Sequence, residues 1–234
     1  MDIKGSVALV TGANRGLGLA FARALLARGA KRVYAGARDP RTVTLAGVVP
    51  VELDVTKTDT IAAAAQRLQD VTLLINNAGV SLGRGALAPG ALAKARAELE
   101  TNYLGPLALT AAFAPILAQH GGGAVLNVLS VLSWVTLPHS ATYSASKAAA
   151  WALTNGLRSE LRAQNTHVTG LHAGFIDTDM TRGLSGAKSS ADEVVRMALD
   201  ALEAGSEEVM VDDVSRAVKS GLSAGVYLRG AAAP

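Results

Sequence analysis

The chain has 234 residues, half of them hydrophobic and 18% charged, with a net charge of +3. That length supports one sizeable core and a single domain. The small basic excess is scattered, without runs of Lys or Arg, which gives a nucleic-acid partner no footing. There are no cysteines, so disulfides and thiolate metal sites are excluded. Met1–Lys4 is too short for the charged region of a signal peptide, and no stretch reaches about 18 consecutive apolar residues. No membrane partner is expected, and cytoplasmic residence is the expectation.

In chain order, short apolar runs rich in β-formers alternate with longer helical patterns. Ser6–Thr11 reads as a buried strand, and Gly16–Arg28 as a helix with Leu17, Ala20, Phe21, Ala24 and Leu25 on one face. Lys31–Gly36 and Val48–Leu53 read as the second and third strands. Thr58–Gln69 is an Ala-rich helix with Thr56 or Thr58 as N-cap, and Thr72–Asn76 is a fourth strand. After a Gly-rich loop, Gly79–Gly90, a long helix is predicted over Ala91–His120, bent at Gly105-Pro106. Ala124–Leu129 is the fifth strand, Thr142–Ala163 a helix, His167–His172 the sixth strand, Ala191–Ala204 a helix and Val209–Val211 a short last strand. This alternation predicts an α/β fold: one domain over 1–234, a doubly wound parallel sheet of about seven strands with helices on both faces. Gly174–Ser190 is poor in periodicity, rich in Gly, Ser and Thr, and follows a strand end; a mobile substrate lid is expected there.

The segment Thr11-Gly12-Ala13-Asn14-Arg15-Gly16-Leu17-Gly18 joins the first strand to the first helix. Glycines there let the backbone turn tightly and approach a pyrophosphate, which the helix N-terminus would hold through free N–H groups and its partial positive charge. A plain strand–helix turn is the alternative. The spacing is neither G-x-G-x-x-G nor that of a Walker loop. A Rossmann unit that binds NAD carries an acid about 20 residues past the glycines. Here Ala37 and Arg38 follow the second strand, and Arg15 lies in the loop, a pair suited to a 2′-phosphate. NADP(H) is therefore preferred and NAD(H) kept as possible, because a one-residue shift of the strand end would bring Asp39 to the ribose.

Five motifs in order carry a family resemblance over nearly the whole length: Thr11–Gly18, Asn76-Asn77-Ala78-Gly79, Asn102 in Thr101–Gly105, Ser130 after the fifth strand, and Tyr143-Ser144-Ala145-Ser146-Lys147. The chain resembles the short-chain dehydrogenase/reductase family, of the NADP(H)-preferring carbonyl or keto reductase type. The resemblance implies a Rossmann fold and a catalytic set of Asn102, Ser130, Tyr143 and Lys147. Tyr143 would be the general acid/base, and Lys147, one helical turn on, would lower the phenol pKa and bind the nicotinamide ribose. Ser130 would hydrogen-bond the substrate oxygen, with Ser133 as the competing serine. Asn102 would hold a water that reconnects Lys147 to solvent, or simply bond backbone in a kinked helix. The implied cofactor contacts are Gly12, Asn14, Arg15, Gly16, Leu17, Gly18, Arg38, Asp54, Val55, Asn77, Ala78, Gly79, Tyr143, Lys147, Gly174, Ile176 and Thr178. Of these, Asp54 would take the adenine amino group or cap the next helix, and Ile176 and Thr178 would hold the carboxamide.

Two departures stand out. Ala173 replaces the proline common before Gly174, so a looser lid entry is expected. After Val211-Asp212-Asp213-Val214 the chain runs into a charged helix and Gly-rich residues rather than the family's D-G-G, which favours a homodimer on Ala91–His120 and Thr142–Ala163 over a homotetramer. Four histidines (His120, His139, His167, His172) show no metal spacing, and no metal is expected. Trp134, Leu137 and Met180 are candidate pocket walls, and His139, just before the tyrosine, reads as a loop residue with a place on the pocket wall as the alternative. The reading is an NADPH-dependent reductase of small-molecule ketones or aldehydes, reversible toward secondary alcohols. A dinucleotide-binding regulatory protein without turnover, and non-redox lyase or dehalogenase chemistry, are its rivals.

Overall fold

A computed structural model describes residues 1–83 and 85–229. Arg84, inside the expected Gly79–Gly90 loop, and the last five residues of the expected domain lie outside the described residues.

Seven strands form one parallel sheet in the order β3-β2-β1-β4-β5-β6-β7. They are β1 (Val7–Thr11), β2 (Arg32–Ala37), β3 (Val49–Glu52), β4 (Leu73–Asn76), β5 (Gly123–Val128), β6 (Thr166–His172) and β7 (Glu208–Met210). Parallel strands need crossovers, and the helices that make them cover both faces, which is why the strands read as unbroken apolar runs. On one face α1 (Gly16–Ala27) and α6 (Ala191–Glu203) bury Phe21, Leu25, Val194 and Leu199 against the sheet. On the other, α2 (Thr58–Arg67), α4 (Gly105–Gln119) and α5 (Ala141–Leu161) bury Ile61, Leu109, Phe113 and Leu157. A satellite cluster of Val131, Leu132, Trp134 and Val135 packs against Val218 and Leu222 around α7 (Asp213–Gly221).

The predicted strand and helix ends shift by one or two residues. Two differences have causes. The helix α2 begins at Thr58 with Lys57 at its N-cap and no side-chain cap, so neither threonine plays that part. Thr56 is instead turned back onto Asp54, whose Oδ1 accepts from its N–H at 3.0 Å and its hydroxyl at 2.8 Å. The long helix breaks ahead of Gly105-Pro106, not at it: α3 (Ala91–Leu99) passes through a π-helical turn, Glu100–Leu104, into α4. Pro106 has no N–H to offer the Asn102 carbonyl four residues back, and the chain re-registers, with the Gly105 N–H bonding Glu100 O. Ala91–Gln119 is also long and apolar enough to cross a membrane by length and composition, with mean hydropathy 1.2; 44% of that window is buried inside the protein.

The strand order reverses between β1 and β4, so the crevice outside their C-terminal ends is the place where this topology leaves room for a ligand.

Candidate active site

The glycine loop lies at that crevice. Gly12 and Gly16 have φ of +64° and +53°, the left-handed region that glycine enters without strain. A Cβ on Gly18 would sit 2.2 Å from the Gly12 carbonyl oxygen and 2.5 Å from Asn77 Nδ2, so only glycine closes the loop onto β4. Thr11 welds the two strand ends: its Oγ1 accepts from the N–H groups of Asn77 (3.0 Å) and Ala78 (2.9 Å), and Asn77 Nδ2 donates to Thr11 O at 2.8 Å. The first turn of α1 carries no side-chain cap and no acid among the described residues, which leaves its N–H groups for an anion. Leu17 and Val55 bury their side chains in the cores on the two faces of the sheet.

At the end of β2, Ala37 is buried and Arg38 exposed. Asp39 is committed elsewhere. It caps the short turn Pro40–Thr42, and both its oxygens are taken by Arg41 at 2.9 Å. Asn14 Nδ2 reaches across to Thr42 Oγ1 at 3.1 Å. At the end of β3, burial works to raise the Asp54 pKa, but the Thr56 hydrogen bonds, Lys57 and Arg38 outweigh it and hold the carboxyl below its usual range. Arg15 makes an exposed ion pair at 3.4 Å with Asp179, and Arg182 bonds the other oxygen of that carboxylate.

Beyond β6 the segment after Gly174 folds back on itself. Ile176 bridges Ser189, Ser189 N–H bonds Phe175 O at 2.9 Å, and Thr178 and Thr181 cap each other around a short turn. The Ile176 carbonyl accepts from the Thr181 hydroxyl at 2.5 Å. A cleft of about 340 Å³ opens between Gly16 and this segment, with Thr178, Asp179 and Lys188 on its wall. The entry is not loose, as the missing proline suggested. Ala173 is buried and its carbonyl accepts the Val131 N–H at 2.8 Å, while the Gly174 N–H donates to Asp212 Oδ2 at 2.6 Å.

The candidate catalytic side chains meet at the C-terminal end of β5. Ser130 starts a single 3-10 turn, with its Oγ accepting the Leu132 N–H at 3.1 Å; Ser133 Oγ accepts the Ser130 N–H at 3.3 Å. Ser133 is thus the clasp and Ser130 the residue beside Tyr143. Lys147, buried, donates from Nζ to the Val128 carbonyl at 2.7 Å and lies 5.8 Å from the centre of the Tyr143 ring. The electrostatics differ from expectation. Burial pushes the Tyr143 phenol up to about 12, against a lowering hydrogen bond from Ser130, and the Glu98 charge adds to the rise. Burial also brings the Lys147 ammonium down to about 8. No lowering by Lys147 offsets the effect of burial on the phenol here.

Asn102 sits in the π-turn with its side chain fully employed. Oδ1 accepts the Val80 N–H and Nδ2 donates to Val80 O and Ser146 Oγ, all at 2.9 Å. Glu98, missed in the sequence, stands one turn earlier on the same stripe, and is wholly buried with Oε1 accepting the Leu82 N–H at 2.7 Å. Lys94, a further turn back, bonds Leu82 O at 3.1 Å. Residues 94, 98 and 102 therefore pin the loop after β4, and their i, i+4, i+8 spacing was the signal available for finding them. Of the candidate pocket walls, Met180 is exposed and Leu137 half-buried, His139 is exposed, and Trp134 is buried, stacked on His172, in a cluster against which Tyr143 packs.

A doubly wound sheet with a glycine loop at its switch point belongs to the dinucleotide-binding class of α/β folds. A family model described as short chain dehydrogenase matches residues 6–189. The mouse "Dehydrogenase/reductase SDR family member 7B" is 34% identical over 195 residues, covering 76% of this chain and 60% of that protein. The "Ketoacyl reductase HetN" of Nostoc sp. is 31% identical over 217 residues, covering 83% and 75%. The chain thus spans about 60% of the length of the mouse relative. A short chain dehydrogenase from Burkholderia cenocepacia, solved in complex with NADP, superposes with a TM-score of 0.91 at 45% identity, covering 96% and 95% of the two chains. A Burkholderia phymatum protein solved with NAD shares the fold at a TM-score of 0.86 and 23% identity, covering 100% and 99%. The chain belongs to the short-chain dehydrogenase/reductase family of oxidoreductases.

Proposed function

We propose that the protein is an NADPH-dependent reductase of ketones or aldehydes, acting in reverse on secondary alcohols. The observation that carries this reading is the meeting of Tyr143, Lys147 and Ser130 at the end of β5, beside the glycine loop. When bound, the nicotinamide supplies a hydride to the carbonyl carbon. Tyr143 gives a proton to the carbonyl oxygen; a phenol is protonated at neutral pH, the form a reductive acid needs, and burial raises its pKa further. Ser130 donates to the same oxygen: its hydroxyl lies beside the Tyr143 phenol, and its backbone acceptor, Ala173 O, is a distant 3.5 Å. Lys147 turns from the Val128 carbonyl to the ribose hydroxyls. The Asn102 carbonyl, left without an α-helical donor by Pro106, takes the water that reprotonates Lys147 once Lys147 has passed a proton on to the Tyr143 phenolate.

Cofactor binding follows the same residues. Gly12–Gly18 and the α1 N-terminus hold the pyrophosphate; Asp54 and Val55 bound the adenine; Asn77, Ala78 and Gly79 pack on the ribose; Gly174, Ile176 and Thr178 take the carboxamide. Preference for NADP(H) is supported by Asp39, whose oxygens are spent on Arg41, leaving exposed Arg38 for a 2′-phosphate. Arg15 joins it by leaving Asp179, an exposed pair worth little in water. The protein would work in the cytoplasm as a homodimer on small-molecule substrates.

The test is a panel of ketones and aldehydes with NADPH and NADH side by side, on wild type and Tyr143→Phe. Expected are a lower KM for NADPH than for NADH, and a kcat in Tyr143→Phe lower by about 100-fold or more with NADPH affinity within about twofold. NADPH binding without turnover of any panel member would favour the regulatory reading instead. Full activity of Tyr143→Phe would overturn the acid assignment.

A further inference from the structure

Behind Ser130 lies a polar cluster that the proposed reaction does not use. His172, the last residue of β6, is completely buried, and its ring stacks on Trp134 with 3.8 Å between centroids and 16° between planes. Its Nδ1 is 3.2 Å from the Ser130 carbonyl oxygen. A carbonyl only accepts, so Nδ1 carries the proton and donates, and Nε2 faces away. There it meets Glu208 Oε1 at 3.7 Å, too long for a hydrogen bond. Glu208 is itself fixed on both oxygens: Trp151 Nε1 donates to Oε1 at 3.2 Å and Lys219 Nζ to Oε2 at 2.6 Å. The Lys219 ammonium also lies 4.9 Å from the Trp134 ring centre. With the His172 proton on Nδ1, the hydrogen bonds from Lys219 and Trp151 favour the ionised Glu208 carboxyl and hold it far below the usual carboxylate range, so the ring edge faces a negative charge.

His172 therefore grips the short turn after β5 at both ends, by the carbonyl of Ser130 at its start and the indole of Trp134 at its close. The Ser133 N–H adds a second bond to the same carbonyl at 3.0 Å. We propose that His172 is a positioning residue: stacked on Trp134 and donating from Nδ1 to the Ser130 carbonyl, it sets the backbone of Ser130 so that the serine hydroxyl meets the substrate oxygen. This rests on Ser130 acting as proposed above. It makes the end of β6, which stands behind the crevice, part of what aims the catalytic serine. A displacement of about 1 Å at a reacting group is enough to cost around 100-fold in rate, so a buried donor to that peptide carries weight.

Two amide variants separate the roles of the ring nitrogens. Asn at 172 places its NH₂ near the position of Nδ1 and reaches the Ser130 carbonyl; Gln reaches toward Nε2 and does not. We expect His172→Gln and His172→Phe to lower kcat by about 10- to 100-fold with NADPH affinity and carbonyl KM within about threefold, and His172→Asn to restore most of kcat. A purely structural role would lower the melting temperature of Asn and Gln variants alike without splitting their kcat. Equal kcat in Asn and Gln variants, or wild-type kcat in His172→Phe, overturns the proposal. Should these fail to fold, Trp134→Phe, which keeps an aromatic side chain but reduces the stack on the His172 ring, decides: a reduced kcat at unchanged NADPH affinity supports it and an unchanged kcat overturns it. Ser130→Ala run in parallel separates the two readings. Full activity there removes the serine's role itself, whereas an inactive Ser130→Ala beside a normal His172→Phe removes only the role of His172.

Discussion

Lys147 shows how a site residue can work against the fold that holds it. Its ammonium is buried with one carbonyl partner, and burial brings its pKa from 10.5 to about 8. Between these values the unfolded chain binds more protons than the folded one, so stability rises with pH from about 8 to 10.5 on this account. Above pH 10 the raised phenol of Tyr143 acts in the opposite sense, because the folded chain then holds the extra proton. Below about 8 the full cost of the buried charge is present. Lys147→Met, which keeps the length and removes the charge, is expected to stabilise the cofactor-free protein by about 1–3 kcal/mol at pH 7 while abolishing turnover. Thermal melts at pH 7 and 9 check this. The gain should shrink at pH 9, and a lower melting temperature for the variant at pH 7 would sink the argument.

Among the elements, the β1–α1 turn is the most constrained. Gly16 needs its left-handed φ but has only the Thr178 side chain within 4 Å of a new Cβ, whereas Gly18 faces the Gly12 backbone itself. Gly18→Ala must push β1 and β4 apart, since the atoms met are a carbonyl and a side chain already bonded to Thr11. The expected result is a loss of about 1–3 kcal/mol in stability and at least tenfold weaker NADPH binding, read by melting and by cofactor fluorescence. Near-normal binding would show that the loop gives way more easily than its contacts imply. The glycines were legible in the sequence because strand, loop and helix are contiguous. The 94–98–102 stripe shows its spacing but not its role, because Glu98 and Lys94 read as solvated charges on an Ala-rich helix until the loop after β4 is folded onto them.

At the scale of the whole molecule, Leu92 and Leu104 stand exposed on the α3–α4 run at 65% and 40%, and Ala145 and Ala152 are exposed on α5. Isolated exposed leucines are ordinary, but small residues on one long helix beside leucines on another suit close packing against a second copy. Light scattering at micromolar concentration is expected to give twice the 23.8 kDa chain mass, and Leu92→Glu to shift it toward one. A wild-type protein that stays at one chain mass over that range would dispose of the dimer.

The sequence by itself determined the alternation of strands and helices, and with it the parallel sheet, the glycine loop and the Tyr143–Lys147 helix turn, because each rests on periodicity or on residues adjacent in the chain. It also ordered Ser130 before Tyr143 at the family's distance. Tertiary structure alone decided which serine is the clasp, where Asp39 spends its charge, that burial rather than Lys147 governs the Tyr143 phenol, and that His172 lies behind Ser130. Those outcomes depend on groups far apart in sequence meeting at the strand ends, and on how much water is excluded where they meet. Neither quantity is written in local spacing.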